Sequence, residues 1–88
     1  MKIHLIRYSP HFKKAFKRLP QQVQRRAIER EILFRQNAFD PRLDTHKLKG
    51  VFNEYWAFSI NYKHRILFRF EQQGEVGFVD VGNHSIYR

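Results

Sequence analysis

The sequence predicts one α+β domain in which a two-helix hairpin packs on one face of a β-sheet. Two patterns support this fold class. Apolar residues recur at helical spacing between residues 10 and 37, and from residue 56 onwards they alternate with polar residues at the two-residue period of strands. A chain of 88 residues is long enough for one hydrophobic core and too short for a second. We therefore expect residues 1–88 to form a single domain.

The first predicted elements are a short strand and a helix. Lys2–Tyr8 alternates imperfectly between apolar and polar residues, with Ile3 and Leu5 expected on one face. Ser9 is a favourable N-cap, and Pro10 suits the first helical position. The expected apolar face of this helix consists of Phe12, Phe16 and Leu19.

The second helix is predicted between Gln21 and Asn37, a stretch without glycine or proline. Pro20 ends the first helix and begins the connection to the second. The apolar stripe expected to face the core consists of Val23, Ala27, Ile28, Ile32 and Phe34. A connection this short predicts a helical hairpin that packs as one layer.

A meander of three antiparallel strands is predicted to follow. The strands are expected at residues 56–62, 65–70 and 76–81. The segment Gln72–Gly74 is typical of a hairpin turn. With both helices on one face of this sheet, which we expect to be antiparallel, Arg65 and Arg69 are predicted to lie on the other face.

The charge balance predicts a polyanionic partner. Seventeen lysines and arginines oppose eight acidic residues, which leaves a net charge of +9. Such an excess suits nucleic acid, an anionic membrane surface or an acidic protein segment. A basic protein without such a partner is the alternative.

Composition also narrows the cellular setting. The chain has no cysteine, which excludes disulfides and thiolate metal sites and suits a reducing compartment. No apolar stretch approaches the roughly 20 residues that span a bilayer, and the N-terminal apolar run is too short for a signal peptide. We therefore expect a cytoplasmic protein without membrane association.

The candidate site lies where three segments converge in this topology. Antiparallel pairing of the last two strands places Arg65 beside the end of the final strand, and hence near His84. Arginine binds phosphate oxygens in a bidentate manner, and histidine transfers protons near neutral pH. Tyr87 is positioned to stack on a base or donate a proton. Further residues expected to bind RNA are Lys47, Lys49, His64, Arg69 and Arg88.

Each of these residues also has a structural alternative. Arg65 would fit an ion pair with Glu54 or Glu71, and His84 would fit a hydrogen-bonded cap on the sheet. Tyr87 and Arg88 would fit a frayed terminus. The lysines would then be solvated loop charges, and His64 an exposed turn residue. We expect no metal ion or other cofactor, although His46, His64 and His84 together would be a conceivable zinc set.

Four short motifs occur in a distinctive order in the C-terminal half. They are KLKG at 47–50, YWAFSI at 55–60, HRILF at 64–68 and GNHSIY at 82–87. Together with the N-terminal strand and helical hairpin, this series resembles the RelE/ParE superfamily of toxins from bacterial toxin–antitoxin systems. Each motif alone is weak, but their order extends the resemblance over essentially the whole chain.

The resemblance implies an RNA-cleaving enzyme of the RelE, YoeB and YafQ branch. By that similarity, Arg65 acts on the scissile phosphate, His84 takes part in proton transfer or charge stabilisation, and Tyr87 contributes from the C-terminus. The implied activity is a metal-independent endoribonuclease that cuts mRNA in the ribosomal A site and inhibits translation. The implied partners are an acidic antitoxin, the ribosome and mRNA.

Two departures from the family pattern leave alternatives open. RelE carries catalytic lysines on the strand where this chain has Trp56 and Phe58, and the catalytic glutamate of YoeB is not assigned to Glu54. The general base is therefore open, with His84 the first choice. The superfamily also includes ParE toxins, which inhibit DNA gyrase without a nuclease site. The third alternative is a non-catalytic remnant that binds RNA or an antitoxin.

Overall fold

The computed structural model describes residues 1–83 and Ile86, without the side chain of Val51. It contains two α-helices, α1 and α2, and five strands, β1 to β5. In chain order these are β1 Leu5–Tyr8, α1 Pro10–Lys17, α2 Gln21–Gln36, β2 His46–Lys47, β3 Trp56–Ser59, β4 His64–Phe70 and β5 Glu75–Asn83. Single 3-10 turns occur at Pro41–Leu43 and Gly50–Phe52.

The strands form one sheet in the order β1-β5-β4-β3-β2. The meander of β3, β4 and β5 is antiparallel, as predicted. The expectation of a wholly antiparallel sheet was wrong, because β1 pairs with β5 in parallel. No hairpin turn joins these two strands, so alternation within each of them carries no information about their relative direction. The two-residue strand β2 was also missed, because it is too short to show a periodic pattern.

Both helices begin where their sequences predict. The Ser9 hydroxyl accepts a hydrogen bond from the backbone N–H of Phe12 at 3.0 Å, and Pro10 occupies the first turn. Pro20 directly precedes α2. In the described part of the chain, neither helix is long and apolar enough to span a membrane.

The centre of the core is a cluster of phenylalanine rings. Phe34 of α2 lies with its ring centroid 4.6 Å from Phe58, 4.9 Å from Phe68 and 5.7 Å from Phe78. These three partners belong to β3, β4 and β5, and all four side chains are fully buried. The helices therefore cover the sheet face that carries these rings.

Two expected apolar faces were partly wrong. In the first strand, Ile3 and Ile6 are buried, whereas Leu5 is 36% exposed. The alternation breaks there because β1 begins only at Leu5, and the N–H of Ile3 instead donates to the carbonyl of Arg35 at the end of α2.

On α2, Ala27 and Phe34 are buried as predicted, but Ile28 and Ile32 are more than half exposed. The apolar stripe is wider than the strip of α2 that the sheet covers. Ile28 and Ile32, one helical turn apart, lie on the flank that faces α1.

Candidate functional site

The side of the sheet opposite the helices is called the outer face here. The pairing register places Arg65 of β4 between Ser59 of β3 and Gly82 of β5 on this face. Arg69 lies farther along the same strand on the same face, as the alternation predicted. In the middle of the outer face, Ala57 and Leu67 are buried and not exposed to solvent.

Backbone carbonyls hold Arg65 in place. Its Nη1 donates to the carbonyl oxygen of Asn61 at 2.6 Å and to that of His64 at 3.1 Å. Both acceptors are neutral, so these two contacts position the guanidinium without neutralising its charge. Within residues 1–83 and Ile86, no residue forms a hydrogen bond with Nε or Nη2.

The acidic residues near the outer face have other partners. Arg7 Nη1 lies 2.9 Å from Glu71 Oε1 and 3.2 Å from Glu75 Oε1. The structural alternative of an Arg65–Glu71 ion pair is therefore not observed. Glu71 follows β4 at the end opposite Arg65, about 20 Å away along the strand. This separation gives the outer face a cationic end at Arg65.

His64 lies on the other side of β4 from Arg65. Its Nδ1 is 3.1 Å from Asn61 Oδ1, and the ring lines a cleft beside Leu19 and Pro20 at the helix connection. Burial, followed by the charges of Lys63 and Arg65, lowers the pKa of His64 below its usual value of 6.5. Because side chains alternate along a strand, His64 and Arg65 lie on opposite faces of the sheet, although the sequence predicted them in one site.

The three remaining described residues of the expected RNA surface are not all on one face. Lys47 pairs with Trp56, a residue of the helix-covered side, and both Lys47 and Lys49 are exposed at the β2 edge. Arg69 lies on the outer face with its guanidinium carbon 5.9 Å from the centroid of the Tyr55 ring, a cation–π arrangement. Tyr55 was not predicted as a site residue. It directly precedes β3, and its place in the alternation with Ala57 and Ser59 was a signal that it lies on the outer face.

The end of β5 is closely covered by the chain that follows it. A Cβ added to Gly82 would lie 2.5 Å from Cγ2 of Ile86, closer than two carbon atoms approach. Asn83, the last residue of β5, pairs with His64 in the register. The predicted site residues His84, Tyr87 and Arg88 lie outside the described residues.

A histidine–carboxylate pair that sequence reasoning missed lies in the same cleft as His64. His11 Nε2 of α1 is 3.1 Å from Asp80 Oδ1 of β5, and the cleft has a volume of about 400 Å³. The two residues are far apart in sequence, and no local pattern indicates the contact. Within residues 1–83 and Ile86, no group of three or more histidines and carboxylates is arranged to hold a metal ion.

Known structures share this architecture. The YoeB/ParE toxin from Agrobacterium tumefaciens superposes with a TM-score of 0.75 at 17% identity, covering 96% of this chain and 99% of that one. The toxin–antitoxin complex RelBE2 from Mycobacterium tuberculosis matches with a TM-score of 0.77 at 13% identity, covering 93% and 99%. The YoeB–YefM complex from Staphylococcus aureus matches with a TM-score of 0.72 at 18% identity, covering 96% and 99%.

These likenesses are structural. No protein-family model matches the sequence, and no curated protein matches it either. At such low identities the superpositions establish architecture, and they cover nearly all of each chain. The protein has the RelE-like α+β fold that these toxins share.

Proposed function

We propose that this protein is the toxin of a type II toxin–antitoxin pair and cleaves mRNA on the ribosome. The observation that carries the proposal is the geometry of Arg65, a half-buried guanidinium held by two neutral carbonyls at the cationic end of the outer face. The RelE-like fold and the net charge of +9 support it. The activity would be that of a metal-independent endoribonuclease, placed in the cytoplasm and inhibiting translation.

The proposed reaction is a transesterification within the RNA. A base, for which His84 is the first choice, removes the proton of a 2′-hydroxyl, and that oxygen attacks the adjacent phosphorus. Arg65 stabilises the negative charge that gathers on the phosphorane oxygens. Protonation of the departing 5′-oxygen then releases a 5′-hydroxyl end and leaves a 2′,3′-cyclic phosphate. Tyr87 is proposed to support the proton transfers.

The arrangement of Arg65 suits this role better than a purely structural one. Its two hydrogen bonds to described residues both use Nη1, so Nε–H and Nη2 are proposed as a fork for two phosphate oxygens. A guanidinium already fixed by the protein loses less side-chain freedom when the substrate binds. Arg69 with Tyr55, and Lys47 and Lys49 at the sheet edge, are proposed to bind the flanking RNA.

The proposed partner that controls the toxin is an acidic antitoxin. Two of the similar structures are complexes, one described as a toxin–antitoxin complex and the other as YoeB with YefM. A basic toxin attracts an acidic segment over long range, which accelerates association. The ribosome and mRNA are the proposed targets.

The test is to add the purified protein to translating ribosomes and map the mRNA ends. We expect new ends within the codon in the A site. The His84→Ala variant should lose this cleavage, and Arg25→Ala, which removes one exposed cation from α2, should retain it. An absence of new ends at a dose that arrests growth would refute the nuclease function.

The same variants test the gyrase alternative, which the ParE part of one relative's name raises. A gyrase-directed toxin would cause double-strand DNA breaks on expression, and His84→Ala would remain toxic. Soluble protein that is harmless when overexpressed would instead support a remnant that only binds RNA or an antitoxin.

A further inference from the structure

The cleft that contains the His11–Asp80 pair has the composition of a small-molecule site, and it is called the β5-end cleft here. Its volume of about 400 Å³ is within the range of sites that bind small ligands. Apolar residues of α1, the helix connection and β5 form part of its lining. The charged or titratable side chains that line it are those of His11, Arg18, His64 and Asp80.

The β5-end cleft borders the surface where Arg65 lies. Gly82 lines the cleft, and in the pairing of β5 with β4 it is the partner of Arg65. Paired residues of antiparallel strands have Cα atoms only about 4.5–5.5 Å apart. His64, which directly precedes Arg65, lines the cleft as well. The cleft and the Arg65 guanidinium are therefore neighbours at the same end of the sheet.

Asp80 presents a hydrogen-bond acceptor to the cleft. Its Oδ1 accepts from the backbone N–H of Val81 at 2.8 Å and lies 3.1 Å from His11 Nε2, so the carboxylate is held in place. Within residues 1–83 and Ile86, no residue forms a hydrogen bond with Asp80 Oδ2. An ionised carboxylate only accepts hydrogen bonds, so its complement in a ligand is a donor such as an amino group.

His64 presents a second acceptor. Asn61 Oδ1 accepts from the backbone N–H groups of Lys63 and His64, so the His64 Nδ1, 3.1 Å from that oxygen, carries the ring proton. Burial, followed by the charges of Lys63 and Arg65, lowers the pKa of His64, so the ring is neutral near neutral pH. Nε2 of the neutral ring is then an acceptor, and a hydroxyl group is a donor that suits it.

Arg18 supplies positive charge at the other end of the cleft. His11 and Arg18 lie near opposite ends of α1, about 10 Å apart along its axis, and the Arg18 side chain is exposed. In an extended nucleotide, the edge of the base and the phosphate are separated by a similar distance. Because Asp80 repels a phosphate and Arg18 attracts one, the charges also determine which way a nucleotide would lie.

We propose that the β5-end cleft binds one ribonucleotide whose base carries an amino group. The base packs against Ala15, and its amino group donates to Asp80 Oδ2. The ribose 2′-hydroxyl donates to His64 Nε2, and the phosphate pairs with Arg18. Cytosine, adenine and guanine carry an amino group, whereas uracil does not.

Two sources can supply this nucleotide. One is the RNA chain, in which the nucleotide next to the phosphate at Arg65 would enter the cleft past Gly82. The other is a free nucleotide. In naming the RNA as the source, the inference rests on the proposed function, whereas the binding of a nucleotide does not depend on it.

The test is a titration of the whole protein with mononucleotides in a phosphate-free buffer, followed by amide chemical shifts. Cytidine 5′-monophosphate should give saturable shifts at the residues that line the cleft, with a Kd of ~1 mM or tighter. Uridine 5′-monophosphate lacks the amino group and deoxycytidine 5′-monophosphate lacks the 2′-hydroxyl. Each should bind at least ~3-fold more weakly, because each loses one hydrogen bond.

Three variants assign these contacts. Asp80→Asn should lose the preference for the cytidine over the uridine nucleotide. Arg18→Ala should bind all three nucleotides at least ~5-fold more weakly. Lys14→Ala is the matched control, because Lys14 is an exposed cation of α1 outside the cleft, and it should bind like the wild type. The amide spectrum of each variant verifies that it is folded.

Four results would overturn the inference. They are shifts centred outside the cleft, equal binding of the cytidine and uridine nucleotides by the wild type, unchanged binding by Arg18→Ala, and no saturation at ~10 mM. The second and third results would reduce the binding to a general attraction between a basic protein and an anion.

Cleavage on ribosomes then distinguishes the two sources. If the RNA chain supplies the nucleotide, Asp80→Asn should add cuts beside uridine that the wild type does not make. An unchanged set of cuts, with nucleotide binding intact, would assign the cleft to a free nucleotide. If the wild type cuts no mRNA, the proposed function fails, while the titration still decides whether the cleft binds a nucleotide.

Discussion

At the scale of single residues, the site depends on how a cation is held without being neutralised. Arg65 is half-buried and bound by the carbonyls of Asn61 and His64, whereas the carboxylates of Glu71 and Glu75 lie at the far end of the outer face and are paired with Arg7. Carbonyl dipoles orient a guanidinium and leave its formal charge unchanged. Among residues 1–83 and Ile86, no carboxylate forms an ion pair with Arg65, so a phosphate bound there, as proposed, would meet a fixed positive charge.

Replacing Arg65 by alanine should abolish most of the cleavage while the fold is retained. Loss of one group that stabilises transition-state charge costs about 10²–10³-fold in rate. The loss of its hydrogen bonds to the two carbonyls should cost only about 0.5–1.5 kcal/mol of stability. Single-turnover cleavage on ribosomes measures the first quantity and urea unfolding the second. A variant that remains fully active, or one that unfolds, would contradict the assigned role.

His64 should make stability depend on pH. Its folded pKa is lowered by burial, so the unfolded chain takes up a proton at a higher pH than the folded one does. Stability should therefore fall as the pH drops through 6.5 towards the folded pKa. Urea unfolding of wild type and His64→Gln at about pH 7.5 and about pH 5.5 measures this. The variant should lose less stability on acidification, and an equal loss in both proteins would count against the assignment.

Gly82 should matter for activity more than for stability. A methyl group there would force Ile86 to move, and Ile86 is two residues from His84. We expect Gly82→Ala to lower the cleavage rate at least ~10-fold, because small displacements at a reacting centre are costly. Gly77→Ala is the control, since its added methyl would meet only the flexible carboxylate of Glu71. Equal rates for the two variants would exclude this role for Gly82.

At the scale of elements, the fold is held by the contact between α2 and three central strands. Phe34 is completely buried and contacts one ring from each of β3, β4 and β5. Phe34→Ala should lower the free energy of unfolding by about 3–5 kcal/mol, because it opens a cavity among these rings. Ile28→Ala on the same helix should cost far less. Comparable losses measured by urea unfolding would show that the core lies elsewhere.

The elements were predictable wherever a local rule determines them. The Ser9-Pro10 pair located the start of α1, the uninterrupted stretch after Pro20 located α2, and the alternation located β3 to β5. The parallel pairing of β1 with β5 and the short β2 depend on contacts distant in sequence. Local periodicity contains no information about such contacts.

The candidate site was predictable to a smaller extent. The alternation correctly placed Arg65 and Arg69 on the outer face, but the carbonyl contacts of Arg65 depend on the shape of the turn before β4. The exposure of Ile28 and Ile32 depends on how much of α2 the sheet covers, a property of the assembled layers. The His11–Asp80 contact likewise needs the whole fold.

At the scale of the whole molecule, the sheet separates two surfaces with different chemistry. The outer face has Arg65 at one end and the Arg7–Glu71–Glu75 cluster at the other. The helical side has an apolar groove lined with lysines. A net charge of +9 adds long-range attraction for any polyanionic partner. Under the proposed function, the outer face is the surface that would act on RNA.

The chemistry of the RNA ends tests the central claim most directly. mRNA recovered from ribosomes treated with wild type, Arg65→Ala or Arg25→Ala would be sequenced by its ends and analysed by mass spectrometry. We expect A-site cuts that leave a 2′,3′-cyclic phosphate and a 5′-hydroxyl, present with wild type and Arg25→Ala and lost with Arg65→Ala. Intact mRNA with the wild-type protein, or identical cuts with Arg65→Ala, would contradict the account.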